Sequence, residues 1–423
     1  MVITINEKIR RILVESNPHW KGDYRPNLKG RAAYQKIRER MKERQIIVLC
    51  GLRRTGKTSI MQMMISDLLK TAKGDEILYF PFDDFEGGEI YPVLDEFAEL
   101  HNHAPKYVFL DEVQKLDNWA EKVKILYDSG KYGLAVSGSE SLFLLEGSRE
   151  SLAGRVYEFE IENLSFSEYL DFAGKKELAE KPGVYDAELK AEFKNYLLSG
   201  GFPAMAGKTD AALIREYVKT SVVEKIVYKD MARLYPIDNP RSLISILEIL
   251  NDNPGMQVDF DSFSRELSLT RQTVSKYFDY LERAHLVRKL YNFSKNRSTS
   301  EKRLKKFYPT CITSAMSDRA DDEYFSKIVE SVCVLRSGAK YFWRDARKNE
   351  VDMVFWKGKD ILPVEVKYRN RPERENSLLI FCKKFNCKEA ILVTKTANKE
   401  EKEEARIHQV PAHIFMLGGY FLK

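Results

Sequence analysis

The run Gly51-Leu52-Arg53-Arg54-Thr55-Gly56-Lys57-Thr58 constrains this chain more than any other feature. It follows the apolar string Ile46-Ile47-Val48-Leu49-Cys50 and leads into a helical pattern from Ser59 to Leu69. A β-branched strand, a turn closed by Gly-Lys-Thr and a helix make the layout of a phosphate-binding loop. Gly51 and Gly56 let the backbone wrap so that its N–H groups point inward, with Arg53, Arg54 and Thr55 between them. The helix opening at Lys57 adds the positive end of its dipole, Lys57 a point charge, and Thr58, with Ser59 beside it, a hydroxyl able to hold Mg²⁺. The cofactors these residues imply are ATP and Mg²⁺, in an α/β fold.

Glu76–Phe82 reads as a second strand ending at Asp83-Asp84, and a helix follows over Pro92–Leu100. Tyr107-Val108-Phe109-Leu110 is then closed by Asp111 and Glu112. A carboxylate at a strand end, about fifty residues beyond a phosphate loop, is where a metal's hydration shell is held. Asp111 takes that role, and Glu112 orients or deprotonates the attacking water. A further strand, Gly133–Val136, ends in Ser137-Gly138-Ser139. In P-loop ATPases with an additional strand, a polar residue there meets the γ-phosphate or the water; Ser137 is the first choice and Ser139 the second. Arg155, or Arg149, would meet the γ-phosphate in cis or from a neighbouring subunit, unless each is a surface ion-pair partner.

At 423 residues the chain has material for several domains. No apolar run approaches the ~20 residues of a membrane span, and the N-terminus is too charged for a signal peptide. The five cysteines are odd in number and show no zinc spacing, which fits free thiols in a reducing cytoplasm. A net charge of +6 permits nucleic-acid contact without demanding it.

The chain opens with a short amphipathic helix over 3–15, broken by Asn17-Pro18-His19-Trp20, then an exposed linker to about 28 and a basic helix over Gly30–Arg44. Residues 164–235 are helical and aromatic-rich and read as a lid over the nucleotide. From 240 the pattern is helix, turn, helix and a strand pair, a winged helix-turn-helix. Its second helix starts with Arg271, Gln272, Thr273, Ser275 and Lys276, types able to reach base edges or phosphates. Winged helices also serve as protein contact modules, and both uses stay open. The basic stretch 294–306 is either a solvated loop or a phosphate-binding arm.

The last hundred residues hold a second constellation. Glu365 and Lys367 are two apart on one strand and so share a face, with Asp352 on a neighbouring strand and Glu330 on an apolar-periodic helix. Asp352 and Glu365, with Glu330, would ligate Mg²⁺ and Lys367 would position the water of a phosphodiesterase. The competing reading is a self-paired charge cluster on a scaffold that no longer cuts.

With these residues laid out, the chain resembles a family of prokaryotic AAA+-type ATPases that carry a winged helix and a C-terminal restriction-endonuclease-like domain. The resemblance rests on Leu52–Thr58, Leu110–Lys115, Ser137–Ser139, Leu152–Arg155, Gly200–Pro203, Glu350–Asp352 and Val364–Lys367, with Asn17–Trp20 near the start. The family's Lys-x-Tyr-x-x-Asp stretch appears as Lys306-Phe307-Tyr308-Pro309-Thr310-Cys311, with cysteine in place of the aspartate. The resemblance implies an N-terminal helix and linker (1–28), a P-loop core (29–163), a helical lid (164–235), a winged helix (236–293) and a nuclease-like domain (294–423). ATP hydrolysis would drive or gate a DNA-binding or DNA-cleaving module in the cytoplasm. The alternative is a nucleotide-dependent switch with an inactive nuclease-like domain. DNA would be held through Arg271, Gln272, Thr273, Lys276 and residues 294–306, and a homo-oligomer fits the family.

Overall fold

The computed structural model describes residues 4–22, 24–83, 85, 89–138, 151–296, 300, 305–312, 322–369, 376–396 and 406–418. The chain divides into two compact units, Met1–Glu162 and Asn163–Lys423.

The first unit is built on five parallel strands: β1 (Ile46–Cys50), β2 (Ile77–Pro81), β3 (Tyr107–Asp111), β4 (Gly133–Ser137) and β5 (Val156–Glu160). Their spatial order is β2-β3-β4-β1-β5. The inner strands are apolar along their length because helices cover both faces. Alternate side chains separate into two layers, as the two-residue strand period requires. Val48, Phe80, Leu110 and Val136 pack with Val93 and Phe97 of α4 (Ile90–His101), Val123 of α5 (Trp119–Asp128), and Ile9 and Leu13 of α1 (Ile5–Ser16). Leu49, Phe109 and Ala135 face Ile60, Met61 and Met64 of α3 (Lys57–Leu68) and Ile37 of α2 (Ala32–Arg40).

Asn17-Pro18-His19-Trp20 does more than break α1. It covers the open edge of β2, a row of unpaired backbone groups that would otherwise invite another strand. The Asn17 side chain accepts from Tyr79 N and donates to Tyr79 O, both at 2.8 Å. Trp20 Nε1 donates to Ile77 O at 2.9 Å, and His19 Nε2 stands 3.0 Å from the same oxygen. Asn17 and His19 are buried, so only the stretch after them has the exposure expected of a linker.

The second unit begins with α6 (Phe166–Phe172) and α7 (Asp186–Ser199). Two π-helical segments follow, Tyr217–Val223 and Ile226–Met231, a register that an apolar pattern alone does not announce. Then come α8 (Pro240–Asp252), β6 (Met256–Gln257), α9 (Phe260–Glu266), α10 (Arg271–Arg283), β7 (Val287–Asn292) and β8 (Lys306–Pro309). Beyond them lie α11 (Asp322–Ser337), β9 (Tyr341–Arg344), β10 (Glu350–Lys357), β11 (Asp360–Lys367), α12 (Asn376–Phe385), β12 (Glu389–Thr394) and β13 (Arg406–Pro411). All eight strands join one sheet in the order β13-β12-β11-β10-β9-β7-β8-β6. β7 pairs antiparallel with β8 on one side and parallel with β9 on the other, so this sheet runs across residue 293.

Candidate nucleotide site

The phosphate loop lies at the C-terminal end of β1, the edge of a parallel sheet where ligands bind. Gly51 has φ +134°, and a Cβ there would stand 2.5 Å from Ile161 O, so no side chain fits. Gly56 has φ +99° and precedes the first turn of α3. Thr55 Oγ1 donates to Leu52 O at 3.0 Å and closes the turn. Arg54, at φ +68°, is exposed, Arg53 is half-buried, and Ser59 is half-buried on α3.

Lys57 is buried, and its ammonium donates to Gly51 O at 3.0 Å and Leu52 O at 2.9 Å. Burial lowers its pKa, against the nearby charges of Glu112 and Asp111. Those carbonyls give Lys57 a holding position that phosphate oxygens would replace. Thr58 Oγ1 donates to Asp111 Oδ2 at 2.6 Å. Tyr79 OH donates to the same oxygen at 2.8 Å, and the Ser137 hydroxyl donates to Asp111 Oδ1. The register Leu110↔Val136 explains the last contact, since the next pair places Asp111 beside Ser137.

Glu112 follows β3 in the left-handed region at φ 56°, at a cost of roughly 1–3 kcal/mol that the surroundings offset. Its N–H donates to Ser137 Oγ at 3.4 Å, and Gln114 Nε2 donates to its carboxylate. Burial raises its pKa, tempered by Lys57. A carboxylate held by Gln114 and made more basic by burial is suited to accept a proton from water.

The residues present therefore fit Mg²⁺ with a nucleotide. A hydroxyl and a carboxylate already touch at the helix start, and a buried lysine is held by exchangeable carbonyls. Arg31, which sequence reasoning placed only in a basic helix, braces the loop from below. Its Nη1 donates to Thr55 O at 2.6 Å and its Nη2 to Glu162 O at 2.7 Å.

Arg155 lies elsewhere. Its carbonyl accepts from Ile46 N at 2.8 Å at the start of β1, and its Nε meets Asp128 Oδ1 at 3.0 Å. The loop is at the other end of β1, about 15 Å away at the rise of a strand. The cis role expected for Arg155 is thereby corrected; its side chain is the ion-pair partner of Asp128, the other use the sequence left open for it beside contact with a neighbouring subunit. Arg149, Ser139 and Asp84 lie outside the described residues.

In the second unit the geometry gathers the carboxylates differently from expectation. Lys306 Nζ, buried in β8, stands 2.5 Å from Glu350 Oε1, 3.5 Å from Glu330 Oε1 and 3.7 Å from Asp352 Oδ1. Tyr308 OH donates to Glu330 Oε1 at 2.8 Å, and Val366 N donates to Asp352 Oδ2 at 2.9 Å. Burial opposes the Lys306 charge, yet its pKa is raised well above the usual value because the surrounding anionic groups favour the ammonium. Lys367 Nζ pairs with Glu365 Oε1 at 2.7 Å. The expectation that Glu330, Asp352 and Glu365 assemble as a metal set is corrected: among the described residues no three acidic, histidine or cysteine side chains are grouped to hold a metal ion. Lys306 is also removed from the expected DNA-contacting stretch 294–306, of which 297–299 and 301–304 lie outside the described residues. Cys311 lines a cavity of about 440 Å³ with Leu286 and Pro309.

α10 presents Arg271, Gln272, Ser275 and Lys276 to solvent, with Thr273 half-buried. Thr270 caps the helix by accepting from Thr273 N at 3.1 Å, and Arg271 Nε pairs with Asp261 Oδ1 at 3.2 Å.

Residues 43–170 match a family model described as an AAA domain. Residues 190–310 and 332–415 match two models described as domains of unknown function, DUF8612 and DUF4143. Over 265 residues the chain is 29% identical to the uncharacterized protein MJ1544 of Methanocaldococcus jannaschii, covering 60% of this chain and 58% of that protein. It is 26% identical over 375 residues to an uncharacterized protein of Haemophilus influenzae, covering 84% of this chain and 90% of the other. Among solved structures it is similar to the Aeropyrum pernix ORC1 protein in complex with DNA, at 15% identity and TM-score 0.34, covering 73% of this chain and 97% of that one. It is also similar to AMPPCP-bound DnaA from Aquifex aeolicus, at 16% identity and TM-score 0.30, covering 63% and 92%. Such TM-scores do not establish a shared fold. The AAA match spans β1 to β5, and the parallel sheet with its phosphate loop is an α/β P-loop core of the AAA type. No described helix is long and apolar enough to cross a membrane.

Proposed function

We propose that the chain is an Mg²⁺-dependent ATPase whose nucleotide cycle gates a DNA-binding module in the second unit. The observation that carries this is the contact of Thr58 with Asp111 at 2.6 Å beside the buried Lys57. Lys57 would exchange its two loop carbonyls for phosphate oxygens, and Thr58 and Asp111 would hold the ion. Bound Mg²⁺ supplies charge neutralisation on the phosphates. Glu112 takes the proton of the attacking water, and Ser137 stands beside Asp111 to meet the γ-phosphate. Arg155 would complete the site of a neighbouring copy, which makes a homo-oligomer part of the proposal.

The order helix, strand, helix, helix, strand, strand from α8 to β8 supports a winged-helix reading. The exposed Arg271, Gln272 and Lys276 support DNA as its partner. A second reading is favoured by the Lys306 cluster. An ammonium already neutralising Glu350, Glu330 and Asp352 supports a nuclease-like domain that binds without cutting.

The test measures ATP binding and turnover in the wild type, Lys57→Ala and Glu112→Gln. Lys57→Ala should lose binding, and Glu112→Gln should bind without turnover. Unchanged ATP affinity in Lys57→Ala would remove the loop from the reading. Incubating DNA with Mg²⁺ or Mn²⁺ beside Asp352→Ala separates the two C-terminal readings, because cutting by the wild type alone restores the nuclease.

A further inference from the structure

Asp111 Oδ2 accepts two hydroxyls, and they differ in their freedom to leave. Thr58 is exposed on the first turn of α3, and its hydroxyl would turn to the ion in the Mg²⁺–ATP reading. Tyr79 is 8% exposed, and its ring is packed in the layer of Leu49, Phe109, Ile60 and Met64. It cannot swing away without opening that layer. The tyrosine is fixed from behind as well. Asn17, fully buried, holds both Tyr79 N and Tyr79 O at 2.8 Å and anchors itself to Leu13 O at 2.8 Å. A chain of direct hydrogen bonds therefore runs from the end of α1 through the open edge of β2 to the carboxylate beside the phosphate loop.

We infer that Tyr79, locked in place by Asn17, is a positioning residue that aims Asp111 at the cation accompanying the nucleotide. The inference rests on the Mg²⁺–ATP reading above. When Thr58 turns to the ion, Tyr79 remains on Oδ2 and Ser137 on Oδ1. The carboxylate thereby keeps its orientation. Without the phenol hydroxyl, among the described residues Ser137 alone is left to fix the carboxylate's rotation once Thr58 has turned. Residues that orient a metal ligand in this way change cation affinity when removed, without touching the ion.

The experiment titrates a fluorescent ATP analogue into the full chain, once in EDTA and once across a Mg²⁺ series, for wild type, Tyr79→Phe and Asn17→Ala. In Tyr79→Phe the half-saturating Mg²⁺ concentration should rise about tenfold, while affinity in EDTA stays within about twofold of wild type. Asn17→Ala should shift the Mg²⁺ dependence in the same direction, with thermal melts reporting how much of the fold each variant keeps. A wild-type Mg²⁺ midpoint in Tyr79→Phe overturns the inference. So does an equal loss of affinity in EDTA, the mark of a merely structural contact. Wild-type protein that binds the analogue indifferently to Mg²⁺ overturns the parent reading, and this is seen before any variant is compared.

Discussion

Replacing Lys306 by methionine keeps the stem and removes the ammonium that lies between 2.5 and 3.7 Å from three carboxylate oxygens. Removing one partner of a buried ion pair costs about 3–5 kcal/mol, because the other is left charged in a poor solvent. Other donors remain: Tyr308 on Glu330, Arg344 Nη1 on Glu350 at 3.2 Å, and Val366 N on Asp352. The loss should fall at the lower end, about 3 kcal/mol at pH 7.5. At about 2–4 °C per kcal/mol for a large unit, the midpoint of its melt should drop by roughly 6–12 °C. The pH dependence has a definite sign. A carboxyl whose folded pKa is raised stabilises the fold in acid and loses that contribution as pH climbs through the folded value. Glu330 stands at about 7, through burial first and then the charge of Asp352, and loss of Lys306 pushes it higher. Lys306 itself stays charged between pH 5 and 7.5, so its own share is constant there. The gap between variant and wild type should therefore narrow at pH 5. Urea melts at both pH values measure it. A gap under about 0.5 kcal/mol at pH 7.5, or one that widens in acid, would refute the claim that this ammonium is the cluster's counter-ion.

Three other outcomes follow from the geometry. Gly51→Ala should abolish nucleotide binding measured by equilibrium titration, because its Cβ would sit 2.5 Å from the backbone oxygen of Ile161; binding within about threefold of wild type would contradict the packing. The pH profile of turnover should lose its acid limb at a pH above the ordinary glutamate value, since burial raises Glu112, and Glu112→Gln should abolish what that limb reports. Lys276→Ala should weaken DNA binding alike across sequences and reduce the slope of log affinity against log salt by about one; an unchanged slope would take α10 off the phosphate backbone.

What could be read from the residues alone was chemistry with a fixed spacing. The Gly-Lys-Thr turn and the Asp-Glu pair at a strand end announce themselves because their neighbours in sequence are also their neighbours in the site. Tyr79 gave no such signal: in Ile-Leu-Tyr-Phe-Pro it is one more large residue of a buried strand. Its hydroxyl matters only because β2 and β3 are adjacent, which brings it to Asp111 across 32 residues. Arg31 reaches Glu162 across 131 residues. Lys306 looked like part of a basic surface stretch, and the pairing of β8 with β7 is what turns it inward. Asn17-Pro18-His19-Trp20 reads as a helix stop, because nothing local tells a side-chain amide that it will stand in for a sixth strand. Arg155 shows the opposite error for a role in its own site: the residue type suits catalysis, but it stands at the start of β1, away from the loop.

The pairing of β7 with both β8 and β9 has a mechanical side. Tyr291 and Asn292 lie beside Tyr341 and Phe342, and the Asn292 amide clips Arg344 by its backbone, donating at 3.0 Å and accepting at 3.2 Å. Between α10 and the C-terminal strands there is thus a plate of hydrogen-bonded strands where a hinge would otherwise be. The strand beside α10 and the strand that carries Lys306 therefore belong to one continuous hydrogen-bonded sheet with the C-terminal strands.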